Sequence, residues 1–189
     1  TKTANVADDV TFTGDLGTFA VTVASDKVLT STAALLTGTT VTGSSATTSV
    51  TALESTLAAD LSGITTTTLN AALATGNAAT DLKANLSTAD KLTLTGGNTV
   101  TIHADAVLAS TMEIAATGTS VDIADTIASK TITISGNSTA SVTGTVDSST
   151  AMVVGSGSTI STTSASADLM SGITGAGTVA VTIATDDLD

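Results

Sequence analysis

Short triplets, in which two apolar residues flank a variable one, recur about every twenty residues between positions 92 and 183. One series lies at 92–94, 112–114, 132–134 and 152–154. A second series lies at 100–102, 121–123, 140–142 and 179–181. Apolar residues at every second position predict short strands with one buried face. Glycines follow the triplets of the first series, which indicates that the chain turns there.

A fixed period near twenty residues predicts a parallel β-solenoid, in which each coil stacks on the one before it. The first series would then form two inward columns: Leu92, Met112, Ile132 and Met152, and Leu94, Ile114, Ile134 and Val154. The rise per coil would be about 4.8 Å, the spacing of paired strands. The alternative is an antiparallel sandwich, but the chain lacks Asn-Gly and Asp-Gly hairpin turns and nearly all aromatic anchors.

The pattern divides the chain into three stretches, which we expect to form one continuous domain. Residues 1–48 predict β coils and an N-terminal cap that holds both aromatic residues, Phe12 and Phe19. Residues 91–189 predict the regular solenoid. Between them, in 49–90, spacings of three and four residues predict a short helical segment near 50–88, either inserted or part of helical coils. The apolar residues concerned are Val50, Leu53, Leu57, Leu61, Leu69, Leu73, Leu82 and Leu86.

A helical leg is also predicted at 164–170. Its sequence Ala-Asp-Leu-Met-Ser-Gly-Ile at 167–173 repeats Ala-Asp-Leu-Ser-Gly-Ile at 59–64 with one insertion. We therefore expect both segments to have a similar, helical conformation.

Composition and charge restrict the partners of the chain. It carries 17 acidic residues against five lysines and no arginine, which gives a formal net charge of −12. Without a basic patch we expect no nucleic-acid binding. No apolar run reaches eighteen residues, and the negative charge opposes adsorption to anionic lipid, so we expect no membrane insertion. Cations are the natural partners of such a chain. The absence of cysteine excludes disulfides and thiolate metal sites.

Four aspartates recur in step with the coils, at spacings of 20, 22 and 21 residues: Asp105, Asp125, Asp147 and Asp168. Stacked coils would bring them to one edge, where neighbouring carboxylates oppose each other's ionisation. A bound Ca²⁺, which takes six to eight oxygen ligands, would relieve this repulsion. The four residues are therefore the predicted metal ligands, and Ca²⁺ is the predicted cofactor. The alternative is four separate, solvated loop aspartates.

Little in the sequence indicates catalysis, and we expect no enzyme. The single histidine, His103, precedes Asp105 by two residues, but proximity in sequence does not make a catalytic triad. A polysaccharide-degrading β-helix with paired aspartates is the enzymatic alternative. The chain has no Trp, Tyr or Arg with which to bind sugars. An ice-binding face would need threonine at the position of Thr93 in every coil, whereas Glu113 and Val153 take that position elsewhere.

The run from 90 to 183, with Leu-Thr-Leu-Thr-Gly-Gly at 92–97, resembles bacterial surface-layer proteins and giant type-I-secreted repeat proteins. The resemblance is one of repeat texture and of an acidic, cysteine-free composition rich in Thr, Ala, Ser, Gly and Val. It covers about half of the chain. The tandem calcium-binding nonapeptide with paired glycines is absent. The resemblance implies a secreted, structural role and calcium-dependent assembly.

These features predict an extracellular, self-assembling structural protein of the cell surface, such as a component of a filament, a sheath or a surface layer. Its partner would be a further copy of itself, bound head to tail or laterally. The first alternative is a repeat module of a secreted adhesin, whose partner would be a cell-surface glycan.

Overall fold

The structure is a computed structural model of the chain and describes residues 2–54, 58–73, 81–95 and 99–183. Within these ranges the chain forms short strands and two short helices, α1 (Ala33–Leu36) and α2 (Ser164–Leu169). The strands in chain order are β1 (Thr3–Val6), β2 (Val10–Thr11), β3 (Ala20–Val23), β4 (Val28–Thr32), β5 (Val41–Leu53), β6 (Ile64–Leu73), β7 (Asp81–Leu82), β8 (Asn85–Leu86), β9 (Lys91–Thr95), β10 (Thr99–Ile102), β11 (Val107–Leu108), β12 (Thr111–Thr117), β13 (Ser120–Ile123), β14 (Thr131–Ser135), β15 (Thr139–Val142), β16 (Ala151–Val154), β17 (Thr159–Thr163), β18 (Gly172–Gly175) and β19 (Thr178–Thr182).

The molecule is a parallel β-solenoid of about eight coils with about twenty residues each, as the repeat predicts. Every pairing between the strands above is parallel, which excludes the sandwich. Eleven strands form the first sheet, six the second and two the third. The second sheet follows the order β7, β10, β13, β15, β17 and β19. Neighbouring strands are thus one coil apart in sequence.

In the first sheet, nine strands lie side by side from the first coil to the last, and we call them the long column. They are β2, β4, β5, β6, β9, β12, β14, β16 and β18. The inward side chains of all sheets form one apolar cluster that extends from Leu16 to Met170. Leu, Ile, Val and Ala supply most of it, because a narrow coil has little room for aromatic rings.

The predicted inward columns are correct in the later coils and shifted in an earlier one. Ile134 pairs with Ile114 on one side and with Val154 on the other, as predicted. Leu92 pairs with Ile114 and not with Met112. These paired residues are 22 apart (114 minus 92), so the register moves by two. Because side chains alternate with a period of two, this shift keeps the apolar residues facing inward.

The predicted helical segment near 50–88 is wrong for the described part of that range, which holds β5 to β8 and turns. Leu69 and Leu73 are four residues apart, and both point inward from β6 with buried Ala71 between them. Leu82 and Leu86 flank buried Ala84 in the same way. A four-residue spacing fits a strand as well as a helix because it is a multiple of two.

The three-residue spacing of Val50 and Leu53 has a different cause. Ala52, between them, has a φ of 53° and therefore a left-handed backbone. The pairing of β5 with β6 shifts at the same point. The extra residue forms a β-bulge, which allows both Val50 and Leu53 to be buried. Leu57 lies outside the described residues.

The helical leg predicted at 164–170 is confirmed by α2. The hydroxyl oxygen of Thr163 caps this helix, because it accepts a hydrogen bond from the N–H of Ser166 at 3.1 Å. The similar sequence at 59–64 is not helical, and Asp60 there forms a parallel bridge to Asn85. The repeated hexapeptide therefore adopts the local structure that its coil requires.

Candidate functional site

The four predicted calcium ligands do not form one column. The strands β10, β13 and β15 are in register. Asp105 lies three residues beyond the end of β10, Asp125 two beyond β13 and Asp147 five beyond β15, while Asp168 lies in α2. The four aspartates are thus almost equally spaced in sequence but occupy different positions in their coils, because the corners that follow the strands differ in length. Among the described residues, no three His, Asp or Glu side chains come together as metal ligands. Calcium binding stays a prediction.

Asp105 and His103 belong to an exposed turn. The backbone N–H of Asp105 donates to Nδ1 of His103 at 3.0 Å, and the Asp105 carboxylate lies 3.3 Å from the same nitrogen. Nζ of Lys83 lies 3.7 Å from Asp105. The hydrogen bond from the Asp105 N–H to Nδ1 of His103 closes this turn, which supports a structural role for the histidine at the corner.

The carboxylate of Asp147 accepts hydrogen bonds from donors in its own corner and from donors in the corner of the preceding coil. It accepts hydrogen bonds from the backbone N–H and the hydroxyl of Ser129, at 2.8 and 3.0 Å. The N–H of Ser149 and the hydroxyl of Thr150 donate at 3.0 and 2.9 Å. These donors, chiefly the Ser129 N–H, lower the pKa of Asp147 to about 2. The carboxylate therefore links two successive coils.

Asp125 has the opposite environment. Its side chain is buried, with only 4% of the residue exposed, and its Oδ2 has no hydrogen-bond partner. Burial raises its pKa, and the N–H groups of Thr126 and Leu108 and the ammonium of Lys130 offset this only in part. Nζ of Lys130 donates to the carbonyl of Leu108 at 2.9 Å. A buried carboxylate oxygen without a partner is costly and favours a bound proton, water or cation.

The outward face of the first sheet does not carry a threonine ladder. Thr93 pairs with Ala115, and the position of Glu113 is continued by Thr133 and Val153. The second sheet does carry a column of hydroxyls, which the sequence reasoning missed. Each member of this column is the first residue of a strand in the second sheet, and neighbouring members lie in register with one another. The members are Thr99, Ser120, Thr139, Thr159 and Thr178. The high β-propensity of threonine accounts for much of this column.

The C-terminal end of the solenoid exposes side chains that are core residues in the other coils. Val179 pairs with Ile160, which is fully buried, yet Val179 is 42% exposed. Val181 pairs with Thr162 and is 44% exposed. Within the described residues, β18 pairs only with β16 and β19 only with β17. The last coil therefore has an apolar surface and two strand edges without a neighbour.

The N-terminal end also leaves core residues uncovered. Here β1 pairs only with β3, and β2 only with β4, in the part of the chain that the structure describes. A concave pocket of about 430 Å³ lies between these strands and is lined by Val6, Val10, Phe12 and Leu16 among others. Phe19 is 40% exposed, with Nζ of Lys2 5.7 Å from the centre of its ring. Both ends of the solenoid are thus open and expose apolar side chains, and Asp8 and Asp9 also line the N-terminal pocket.

Comparison with protein families, with curated proteins and with solved structures gave no match to the chain. No helix among the described residues is long and apolar enough to cross a membrane. The exposed apolar side chains and unpaired strand edges make the N-terminal end and the C-terminal end the candidate functional surfaces.

Proposed function

We propose that the protein is a structural, extracellular module that assembles with itself through the ends of its solenoid. The observation that carries this proposal is the exposure of Val179 and Val181 at positions where the inner coils bury their side chains. Solenoid proteins that remain monomeric close their ends with polar caps. An open strand edge beside an apolar surface is a template for another chain.

The charge of the molecule sets the conditions for this assembly. Each copy carries a formal net charge of −12, so copies repel one another at low ionic strength. The described residues beyond Asp168 contain no Asp, Glu or Lys, so β18 and β19 carry no formal charge. Asp186, Asp187 and Asp189 follow it outside the described residues. Salt screens repulsion over a Debye length of about 8 Å at physiological strength, and association should therefore strengthen with salt.

The extracellular location and the role of calcium rest on the sequence. The Thr-, Ser- and Ala-rich, cysteine-free, acidic composition supports a surface-layer, sheath or filament component. Calcium would act on the acidic side chains, with Asp125 and its unpartnered Oδ2 as the first residue to examine.

Sedimentation velocity and electron microscopy of the purified protein test this function across a series of NaCl concentrations. We expect rod-shaped oligomers whose mass increases with salt. CaCl₂ series at matched ionic strength separate a specific effect of calcium from screening. A monomer at every salt and calcium concentration would end the self-assembly proposal and leave the adhesin module, with a cell-surface glycan as partner, as the better interpretation.

A further inference from the structure

We infer that the junction between two copies is a direct continuation of the long column, in which β2 of one copy pairs with β18 of the copy before it. This inference rests on the proposed function and adds its geometry. The strands β2 and β18 are the two outermost members of the same column. Each has one edge paired within its own copy, and the edges that face outward along the axis have no neighbour among the described residues.

The direction of the strands fits a head-to-tail contact. All strands of the long column are parallel, so a copy moved along the axis presents β2 to β18 in parallel orientation. Such a contact uses two different surfaces and is repeated by every added copy, which gives an open filament rather than a closed dimer. One coil end offers about twenty residues. A standard protein interface uses about 20–30 residues on each side.

The register of the junction follows from the pairs inside each copy. Outward-facing Thr11 begins a row that continues through Thr30 and ends, one residue per coil, at Val153 and Thr174. Continuation of this row places Thr174 of one copy opposite Thr11 of the next.

The residues that precede Thr11 and Thr174 face inward. Val10 lines the N-terminal pocket and is 38% exposed, while Ile173 is half-buried and pairs with Met152. The junction would bury Val10 beside Ile173. Each of these two residues would then have an apolar neighbour on the side that is open in a single copy.

Disulfide trapping tests this register, because the chain has no cysteine of its own. The variants Thr11→Cys and Thr174→Cys are mixed under mild oxidation in the salt that supports assembly. Paired strands lie about 4.8 Å apart, within the Cα separation of about 4.4–6.8 Å that a disulfide spans. We expect a covalent dimer in the mixture, no such product from either variant alone, and a ladder of covalent multimers from the double variant.

A matched control fixes the register. Gly172→Cys stands on the same strand and face as Thr174 but two residues away, about 6.6 Å along the strand. Its distance to Thr11 of the next copy would be roughly 8 Å, beyond the reach of a disulfide. Equal trapping at Gly172 and Thr174 would overturn the register. A main product that joins Thr174→Cys to itself would overturn the head-to-tail geometry, because it requires two C-terminal ends to meet.

Sedimentation of the same samples separates this inference from the proposed function. Assembly without a disulfide between positions 11 and 174 would overturn the junction and leave self-assembly intact. Absence of assembly in the unmodified protein would overturn both. Both cysteines replace exposed threonines, and circular dichroism of each variant checks that the solenoid is folded.

Discussion

Single residues in this solenoid differ chiefly by the side of the strand on which they stand. Ile134 is fully buried, between Ile114 and Val154 of the neighbouring coils. Thr133, its neighbour in sequence, faces outward and is only partly buried. Alternation within one strand therefore assigns adjacent residues to the core and to the surface.

Replacement of Ile134 by alanine should lower the free energy of unfolding by about 2–5 kcal/mol, because it leaves a cavity between two packed coils. Thr133→Ala, the matched control, should cost less than about 0.5 kcal/mol, as surface substitutions usually do. Urea unfolding of the monomer at low salt measures both. Equal losses at the two positions would contradict the alternation.

Two aspartates with opposite environments predict opposite responses to pH. Burial raises the pKa of Asp125, so the folded protein binds this proton more tightly than the unfolded chain does. Stability therefore falls as pH rises from about 4, the unfolded value, through the raised pKa. The pKa of Asp147 is lowered to about 2, and its contribution is present above about 4 and lost as pH falls from there towards 2.

The variant Asp125→Asn should therefore melt at a higher temperature than the unmodified protein at pH 7, and the difference should shrink as pH falls towards 4. Asp147→Asn is the control and should melt at a lower temperature at pH 7. Thermal melts across pH measure both. A higher stability of both variants at pH 7 would contradict the opposite pKa shifts of the two aspartates.

The same melts with added CaCl₂ test calcium binding. A Ca²⁺-dependent rise in melting temperature that is lost in Asp125→Asn would support a cation at this carboxylate.

At the scale of the element, the strand β5 explains why part of the fold was mispredicted. Its bulge at Ala52 gives Val50 and Leu53 a helical spacing within a strand. Local sequence offers little warning, because alanine is a good helix former and rarely adopts positive φ. The leucine pairs in β6 and at β7–β8 do not distinguish a strand from a helix either, since a spacing of four residues fits the period of two in a strand and the period of 3.6 in a helix. Pairing with neighbouring coils decides the conformation of these segments.

Ala52→Gly should stabilise the protein by about 0.5–1 kcal/mol. Glycine removes a left-handed strain of about 1–2 kcal/mol and loses part of this gain through its greater freedom in the unfolded chain. Ala72→Gly, in β6, is the matched control and should destabilise by about 0.5–1 kcal/mol, because the backbone of Ala72 has no positive φ to relieve. Chemical denaturation measures both, and a loss of stability at Ala52 would contradict the bulge.

At the scale of the whole molecule, the twenty-residue period predicts the solenoid, its parallel pairing and its narrow aliphatic core. It does not predict which coils lack a neighbour. The triplet at 179–181 has the same pattern as the triplet at 121–123, yet Val179 and Val181 are exposed whereas Val121 and Ile123 are buried. The positions of the aspartates could not be predicted either, because they depend on the lengths of the corners.

The exposed triplet predicts how assembly should respond to charge. Val181→Asp places a carboxylate in the surface that a second copy would bury, and an uncompensated buried charge is strongly unfavourable. We expect association to weaken at least about a hundredfold. Ala180→Asp adds the same charge to the outward face of the same strand and should change association far less. Sedimentation equilibrium measures both, and similar affinities would show that the C-terminal end is not the contact surface.

The parallel long column also affects how fibres of this protein would be interpreted. Its strands run across the long axis and repeat along it about every 4.8 Å, the spacing that identifies cross-β structure in fibre diffraction. A continuous junction would keep that repeat from copy to copy. Meridional scattering at this spacing would therefore arise from correctly folded coils, and would not by itself indicate amyloid formed by misfolding.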